Sequence, residues 1–240
     1  MICKLTRKEG TPIKAHIIPK CFFEIDPSEK GVTKLLSNFS NSFPKKSPIG
    51  IYDQSIVTEE GERLFSKWDD YASNIFLKES EQYEKINHKG KEIAFKRKEF
   101  DYGLLKLFAL SILWRASVSS HYFFDKIKLG PHEELIRQAL LNNTPKDTDW
   151  YSVSFAVWSD RNESPGFMNP HKIRFNGINY YILYFSRYIM YIKVDKRIAT
   201  DTMKSVQLME NSPLLLVTRE LEKSKEFPIM VNMAKMNARE

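Results

Sequence analysis

The sequence predicts an α+β protein, because its two parts carry different periodicities. Up to about residue 148, apolar residues recur mainly at the three-to-four-residue spacing of buried helix faces. After Trp150, apolar and β-branched residues alternate in short runs separated by turn residues, as they do in antiparallel strands. Sixteen Phe and eleven Tyr supply enough apolar area to close a sizeable core around these elements.

The patterns divide the chain into three segments: a ββα-like segment at 1–80, a helical middle at 81–148, and an antiparallel β subdomain with a C-terminal tail at 149–240. In the first segment, residues 26–48 are rich in Ser, Asn, Lys and Pro and predict a surface loop. Residues 51–57 predict a strand.

A helix is predicted to begin after Thr58, which can serve as its N-terminal cap and is followed by acidic first-turn residues. Seven apolar residues then recur at helical spacing and define its buried face. They are Leu64, Phe65, Trp68, Tyr71, Ala72, Ile75 and Phe76.

The middle segment contains a predicted hairpin and two predicted helices. Residues 87–91, Asn-His-Lys-Gly-Lys, separate two apolar runs and predict a turn. Residues 100–120 are apolar on nearly every side, which predicts a central buried helix. Gly130-Pro131 begins a second helix, and Asn142-Asn143 ends it.

The last segment predicts an antiparallel sheet. Asn176-Gly177 separates two of its alternating runs and is typical of a two-residue hairpin turn. A short strand at 214–217 and a helix or tail are expected to close the sheet.

The net charge and the cysteine content indicate which partners and which cellular location to expect. A net charge of +7 with a pI near 9.2 favours polyanionic partners, DNA or RNA. Cys3 and Cys21 are the only cysteines and the chain starts with a polar segment, so we expect a reducing, cytoplasmic location. The longest apolar run is far below the roughly 20 residues of a membrane span, so no membrane partner is expected.

The first segment also carries a spaced motif. Cys3-x-x-Thr6 is followed by Ala15-His16-Ile17-Ile18-Pro19-Lys20, and then by Thr58-x-x-Gly61-Glu62-x-x-Phe65. In a zinc knuckle, two C-x-x-C pairs hold one metal tetrahedrally, and the metal fixes the loops around a His-bearing hairpin.

This arrangement resembles a family of HNH-endonuclease-like treble-clef proteins of bacteria and mobile elements. In that family a C-x-x-C precedes a Ser-His-Ile-Ile-Pro-Lys segment, and a second C-x-x-C opens a helix. The motifs cover about the first eighty residues, and residues 107–117 resemble the family's middle helix. The resemblance implies an N-terminal treble clef and a nucleic-acid substrate.

By this resemblance, Cys3 matches a zinc ligand, whereas Thr6, Thr58 and Gly61 stand at the other three ligand positions. Cys21 has no evident reason to face Cys3. Structural zinc normally requires four ligands, so zinc is not expected here.

The resemblance also implies that His16 is the general base of a phosphodiester hydrolysis assisted by Mg²⁺ or Mn²⁺. Ala15 stands where active relatives commonly carry an acidic metal ligand. Glu62 and Asp69, seven residues apart on one helix face, are candidates to supply carboxylates. The structural alternative is a His16 ring that only bonds a backbone group of the hairpin.

Several basic residues are candidates for contacts with a phosphate backbone, although such clusters also form ordinary solvated faces. Arg115 is different because it lies within the predicted buried helix, where it needs a carboxylate or several carbonyls. We expect a structural ion pair there, with a phosphate-facing role as the alternative. The candidate phosphate-contacting residues are Lys20, Lys45, Lys46, Lys96, Arg97 and Lys98.

Two functions follow from these patterns. The first is a nucleic-acid-associated protein, in its active form a divergent metal-dependent endonuclease of a bacterial defence or mobile-element system. The second is a catalytically inactive scaffold that binds a protein partner within a multi-component system.

Overall fold

The computed structural model describes residues 1–23, 34–37, 45–159 and 167–237, and its mixture of helices and strands confirms the α+β prediction. The described helices are α1 (Glu59–Ser73), α2 (Tyr102–Val118), α3 (Pro131–Leu141), α4 (Asp201–Lys204) and α5 (Glu226–Asn237). The described strands are β1 (Ala15–His16), β2 (Lys34–Leu36), β3 (Lys45–Lys46), β4 (Tyr52–Asp53), β5 (Glu84–His88), β6 (Lys91–Arg97), β7 (Val153–Trp158), β8 (Phe167–Met168), β9 (His171–Phe175), β10 (Ile178–Phe185), β11 (Tyr188–Lys193) and β12 (Leu214–Arg219).

The main sheet has seven strands in the order β5-β6-β12-β7-β11-β10-β9. All neighbours are antiparallel except β12 and β7, which run parallel. The strand predicted at 214–217 therefore lies inside the sheet, and its parallel pairing departs from the antiparallel prediction. The hairpin of the middle segment, β5–β6, belongs to the same sheet. The three-part division of the chain remains a prediction.

Helix α2 is the centre of the core, as its apolar sequence predicted. Its residues from Leu105 to Ala116 are all buried. It packs against α1 and α3 on one side and approaches β11 of the sheet on the other. Phe108 of α2 meets the rings of Phe76 and Phe185, so aromatic contacts join the helices to the inner face of the sheet.

The N-terminal segment contains a tight turn, a two-stranded antiparallel sheet of β1 and β4, and helix α1. The Cys3 N–H donates to Lys8 O at 2.8 Å, and β1 pairs with β4 so that His16 lies opposite Tyr52. Helix α1 follows β4 closely, with Thr58 at its N-cap as predicted but without a side-chain capping bond.

The strand predicted at 51–57 is shorter than expected. The Asp53 carboxylate accepts bonds from the backbone N–H and the hydroxyl of Ser55, and these bonds turn the chain after β4. Of the predicted loop at 26–48, the described parts include β2 and β3, which pair with each other. Residues 26–33 and 38–44 lie outside the described residues.

The outer face of the sheet, on the side away from α2, carries a second and smaller core. Its central residues include Ala156, Trp158, Ile182 and Ile189. No helix in the described ranges is long and apolar enough to cross a membrane.

Candidate functional site

The centre of the candidate site is the guanidinium of Arg115, which has 0% exposed side-chain surface. Its Nη2 donates to Asp69 Oδ1 at 2.8 Å, and its Nη1 donates to Asp69 Oδ2 at 2.9 Å. The same Nη1 donates to the backbone oxygen of His16 at 2.9 Å. The ion pair expected for Arg115 is therefore present, and it ties α2 to α1 and β1.

The imidazole of His16 is oriented by a backbone carbonyl. Its Nε2 lies 2.9 Å from Ile49 O. A carbonyl oxygen can only accept, so Nε2 donates, and in the neutral ring the free lone pair is on Nδ1. Within the described residues, Nδ1 has no hydrogen-bond partner. The backbone bond of the structural alternative thus exists, and it leaves Nδ1 as the ring nitrogen that a general base would use.

A tight turn presents the Ile49 carbonyl to His16. Ser47 Oγ donates to Gly50 O at 3.0 Å, and Gly50 has a left-handed φ of 79°. A Cβ added at Gly50 would lie 2.9 Å from Cδ2 of Phe23 and 3.3 Å from Cδ2 of His16. Glycine is therefore needed here both for its φ and for the close approach of the ring.

Glu62 has a carboxylate oxygen that is unpartnered within the described residues. Its Oε2 is buried and accepts no hydrogen bond from any described residue. Burial raises the pKa of the Glu62 carboxyl, the charge of Arg115 opposes this, and the charge of Asp69 adds to it. A bound cation would satisfy this oxygen and hold the group ionised.

Asp69 is placed differently from Glu62. Both of its oxygens accept bonds from Arg115, so its charge is already balanced and its lone pairs are engaged. We therefore assign Asp69 a positioning role in the site. Across the part of the chain that the structure describes, no three His, Cys, Asp or Glu side chains form a metal-binding group.

The four positions that the resemblance predicted for zinc ligands also come together. Cys3 Sγ accepts a bond from the Thr6 N–H at 3.4 Å, and a Cβ added at Gly61 would lie 2.8 Å from the same sulfur. The backbone of Thr58 is directed at it as well. One thiol, two hydroxyl side chains and a glycine do not make the donor set of structural zinc.

No protein-family model, curated protein or solved structure matches the chain. The residues of the site are therefore the only basis for a functional proposal.

Three of the predicted phosphate-contacting lysines lie in segments that adjoin His16. Lys20 follows His16 by four residues, and Lys45 and Lys46 precede the turn that holds its ring. All three are exposed, and Lys45 Nζ lies 4.4 Å from the ring centre of Tyr122. Their role in nucleic-acid binding remains a prediction.

Lys14 was not among the candidates, although it also lies beside the site. It is exposed, and its Nζ lies 5.4 Å from the ring centre of Tyr52, the residue opposite His16. A sequence signal existed, because residues i and i+2 of an extended segment share a face.

The second basic cluster, at 96–98, is engaged within the protein. Lys96 and Lys98 both pair with Glu84, at 2.9 and 3.0 Å. Arg97 is only 6% exposed and pairs with Glu79. Arg97 therefore has little surface to offer a phosphate and makes a structural ion pair, and its phosphate contact remains a prediction.

Proposed function

We propose that this chain acts on nucleic acid as a divergent metal-dependent phosphodiesterase, with His16 as general base and Glu62 as the carboxylate that holds the metal. One observation carries the proposal. The Ile49 carbonyl orients the His16 ring through Nε2, while the Arg115–Asp69 pair fixes the His16 backbone. A base oriented at both its ring and its backbone is preorganised for proton abstraction.

A Mg²⁺ or Mn²⁺ ion fits the unpartnered Glu62 oxygen. Such ions use one or two protein carboxylates, keep several waters and take further ligands from substrate phosphates. A single available carboxylate is therefore sufficient. When bound, the metal would stabilise the negative charge that develops on the phosphodiester oxygens.

Side chains of the protein would transfer the proton and bind the phosphates. His16 Nδ1 would accept the proton of the attacking water. Lys14, Lys20, Lys45 and Lys46 would neutralise neighbouring phosphates and give an affinity that falls with salt.

The local architecture supports an HNH-like treble clef as the origin of this site. The segment contains a knuckle turn, the His-bearing strand β1 paired with β4, and helix α1, and Cys3, Thr6, Thr58 and Gly61 converge. We extend the proposal to the bacterial defence or mobile-element setting and the cytoplasmic location predicted from the sequence.

A scaffold function is the second candidate. It is favoured by Ala15 in place of an acidic ligand and by the engagement of both Asp69 oxygens. In this alternative the His16 cluster only stabilises the fold, and the chain binds a protein partner.

Cleavage assays separate the two functions. Purified protein is incubated with supercoiled plasmid, linear DNA and RNA in Mg²⁺ or Mn²⁺, with EDTA as the metal control. We expect metal-dependent cutting that His16→Ala abolishes and His88→Ala retains, because His88 is an exposed residue of the β5–β6 hairpin. If folded wild-type protein cuts none of these substrates, the scaffold function replaces the enzyme. If His16→Ala cuts as well as the wild type, His16 is not the general base.

A further inference from the structure

The outer face of the main sheet contains a pocket of about 570 Å³ that the His16 site does not use. Its floor is largely apolar and includes Ala156, Ile173, Ile182 and Val217. Strand side chains alternate between the two faces of a sheet, so these residues point away from the face that packs on α2. The volume falls within the range of small-molecule sites.

Two chain segments form the walls of the pocket. One is 202–206, which includes the end of α4, and the other is 223–229, which leads into α5. The two segments leave a gap between them, over apolar side chains.

An ion pair fixes the second wall. Arg219 on β12 donates from Nη1 and Nη2 to the two carboxylate oxygens of Glu226, at 3.0 Å each. The Tyr184 hydroxyl donates to the same carboxylate at 2.9 Å, and the Arg219 guanidinium lies 5.0 Å from the Trp158 ring centre. Since Glu226 is the first residue of α5, these bonds hold the helix start at a fixed place on the sheet.

The charges that remain at the rim are positive. Glu226 is the only carboxylate among the lining residues, and Arg219 already balances it. Arg174, Lys223 and Lys225 also line the pocket and are exposed to solvent. Lys223 pairs with Glu220, which leaves Arg174 and Lys225 as the principal cations at the mouth.

We propose that this pocket binds a small amphipathic anion, with its apolar body on the sheet and its carboxylate, sulfonate or phosphate group beside Arg174 and Lys225. The binding is separate from the function of the His16 site, because the pocket and that site lie on opposite sides of the sheet. It can therefore be tested without any cleavage activity.

The probe is 1-anilinonaphthalene-8-sulfonate, an aromatic sulfonate, compared with the uncharged N-phenyl-1-naphthylamine. Both are titrated by fluorescence into the full chain. We expect saturable binding of one molecule of each dye per chain. Val206→Trp, which places a large ring at the wall, is expected to weaken both dyes by roughly tenfold or more.

Matched variants isolate the two parts of the recognition. Glu222→Trp adds the same ring at an exposed residue outside the lining and should leave both affinities unchanged. Arg174→Glu combined with Lys225→Glu should weaken the sulfonate by roughly tenfold and leave the uncharged dye unchanged. Thr202→Trp is a second plug from an exposed position, for use if Val206→Trp loses cooperative melting.

Three results would overturn the proposal. The first is the absence of saturable dye binding to the folded wild-type chain. The second is binding to the folded plug variants that equals the wild type. The third is a charge variant that weakens both dyes alike or neither, since the site would then show no preference for an anion.

Discussion

Arg115 and Asp69 form a two-bond ion pair inside the protein, and the same guanidinium holds the backbone of His16. The two residues are 46 positions apart and belong to different helices. Their pairing therefore sets the distance between α1 and α2 as well as the place of β1. It gives the candidate site a rigid base without using any group that would contact a substrate.

The first prediction concerns this pair. Asp69→Asn leaves the buried guanidinium of Arg115 without its counter-charge. Arg115→Met leaves the carboxylate of Asp69 without its counter-charge. Each should lower the free energy of unfolding by about 3–5 kcal/mol. Combining Arg115→Met with Asp69→Leu should cost less than the sum of the single changes, because no unpaired charge remains.

Urea denaturation measures these costs. The exposed pair of Lys8 and Glu60, with its atoms 2.8 Å apart, provides the control. Removal of either partner there should change stability much less, because solvent screens the charges of an exposed pair. Equal effects at the buried and the exposed pair would contradict the structural role assigned to Arg115.

The second prediction separates backbone strain from steric contact at the His16 turn. Gly50 and Gly90 have nearly the same φ, 79° and 77°. A Cβ at Gly90 meets nothing within 4 Å, whereas one at Gly50 lies 2.9 Å from Phe23. Gly90→Ala should therefore cost only the left-handed strain, about 1–2 kcal/mol, and Gly50→Ala should cost more.

The two glycines should also differ in their effect on His16. Gly50→Ala displaces the turn that presents the Ile49 carbonyl, so the fraction of His16 in the Nε2-protonated tautomer should fall. Nitrogen-15 NMR of the imidazole reports this fraction directly. If Gly50→Ala and Gly90→Ala have the same free energy of unfolding and the same fraction of Nε2-protonated His16, the close packing at Gly50 is contradicted.

The third prediction uses the raised pKa of Glu62. Its ordinary value is 4.5, and in the folded protein the value is higher because of burial. Between the unfolded and the folded pKa the native state holds more protons, so stability falls as the pH rises through that window. Glu62→Gln should remove this fall and make the protein more stable at neutral pH.

The same Glu62→Gln variant should lose metal-dependent cleavage, since an amide oxygen is a poor substitute for a carboxylate. Stability measured from pH 4 to 8, together with the plasmid assay, gives both results. Glu60→Gln on the exposed surface of α1 serves as the matched control. A Glu62→Gln protein that is less stable than wild type at neutral pH would show that the carboxylate is structural.

The fourth prediction tests the zinc-knuckle resemblance by rebuilding the metal site. The triple variant Thr6→Cys, Thr58→Cys and Gly61→Cys places four thiols around one point, with Cys3 as the fourth. It should bind one zinc ion per chain and gain thermal stability from it. The Cys3 side chain must rotate to admit the metal, because the new Cβ at 61 lies 2.8 Å from its sulfur.

Cobalt substitution provides the readout, since tetrahedral thiolate coordination gives an intense visible absorption. The same triple variant carrying Cys3→Ser should bind the metal more weakly. If the triple variant takes up no more zinc or cobalt than the wild type, the four positions do not share a knuckle geometry.

Local signals in the sequence predicted the helices and hairpins well. The apolar run of α2, the Gly130-Pro131 start of α3 and the Asn176-Gly177 turn each depend on neighbouring residues alone. The place of β12 could not be predicted in this way, because its parallel partner β7 lies more than fifty residues away.

The candidate site was predictable to a similar extent. The spacing of Glu62 and Asp69 placed both carboxylates on the α1 face that meets Arg115. Their different roles could not be predicted, because they depend on which carboxylate Arg115 reaches. The ion pair of Arg97 could not be predicted for the same reason, since its partner Glu79 lies eighteen residues away and before the hairpin.

The final prediction concerns Lys106, the one charged residue that interrupts the apolar start of α2. It is 0% exposed, and burial lowers the pKa of its amine from the ordinary 10.5 to about 7, although Asp147 opposes the shift. The unfolded chain therefore binds one more proton than the native state between about pH 7 and 10.5, and stability should rise with pH across that window. Lys106→Met removes the cost of burying the amine, so it should stabilise the protein at pH 7 by several kcal/mol, at about 1.36 kcal/mol per pKa unit.

The midpoints of urea denaturation at pH 7 and pH 10 test this prediction. The control is Lys67→Met, which replaces an exposed lysine of α1 and should change neither midpoint. A Lys106→Met protein that is less stable than wild type at pH 7 would mean that the bond from Lys106 Nζ to Asp147 O, at 3.5 Å, offsets the cost of burying the amine.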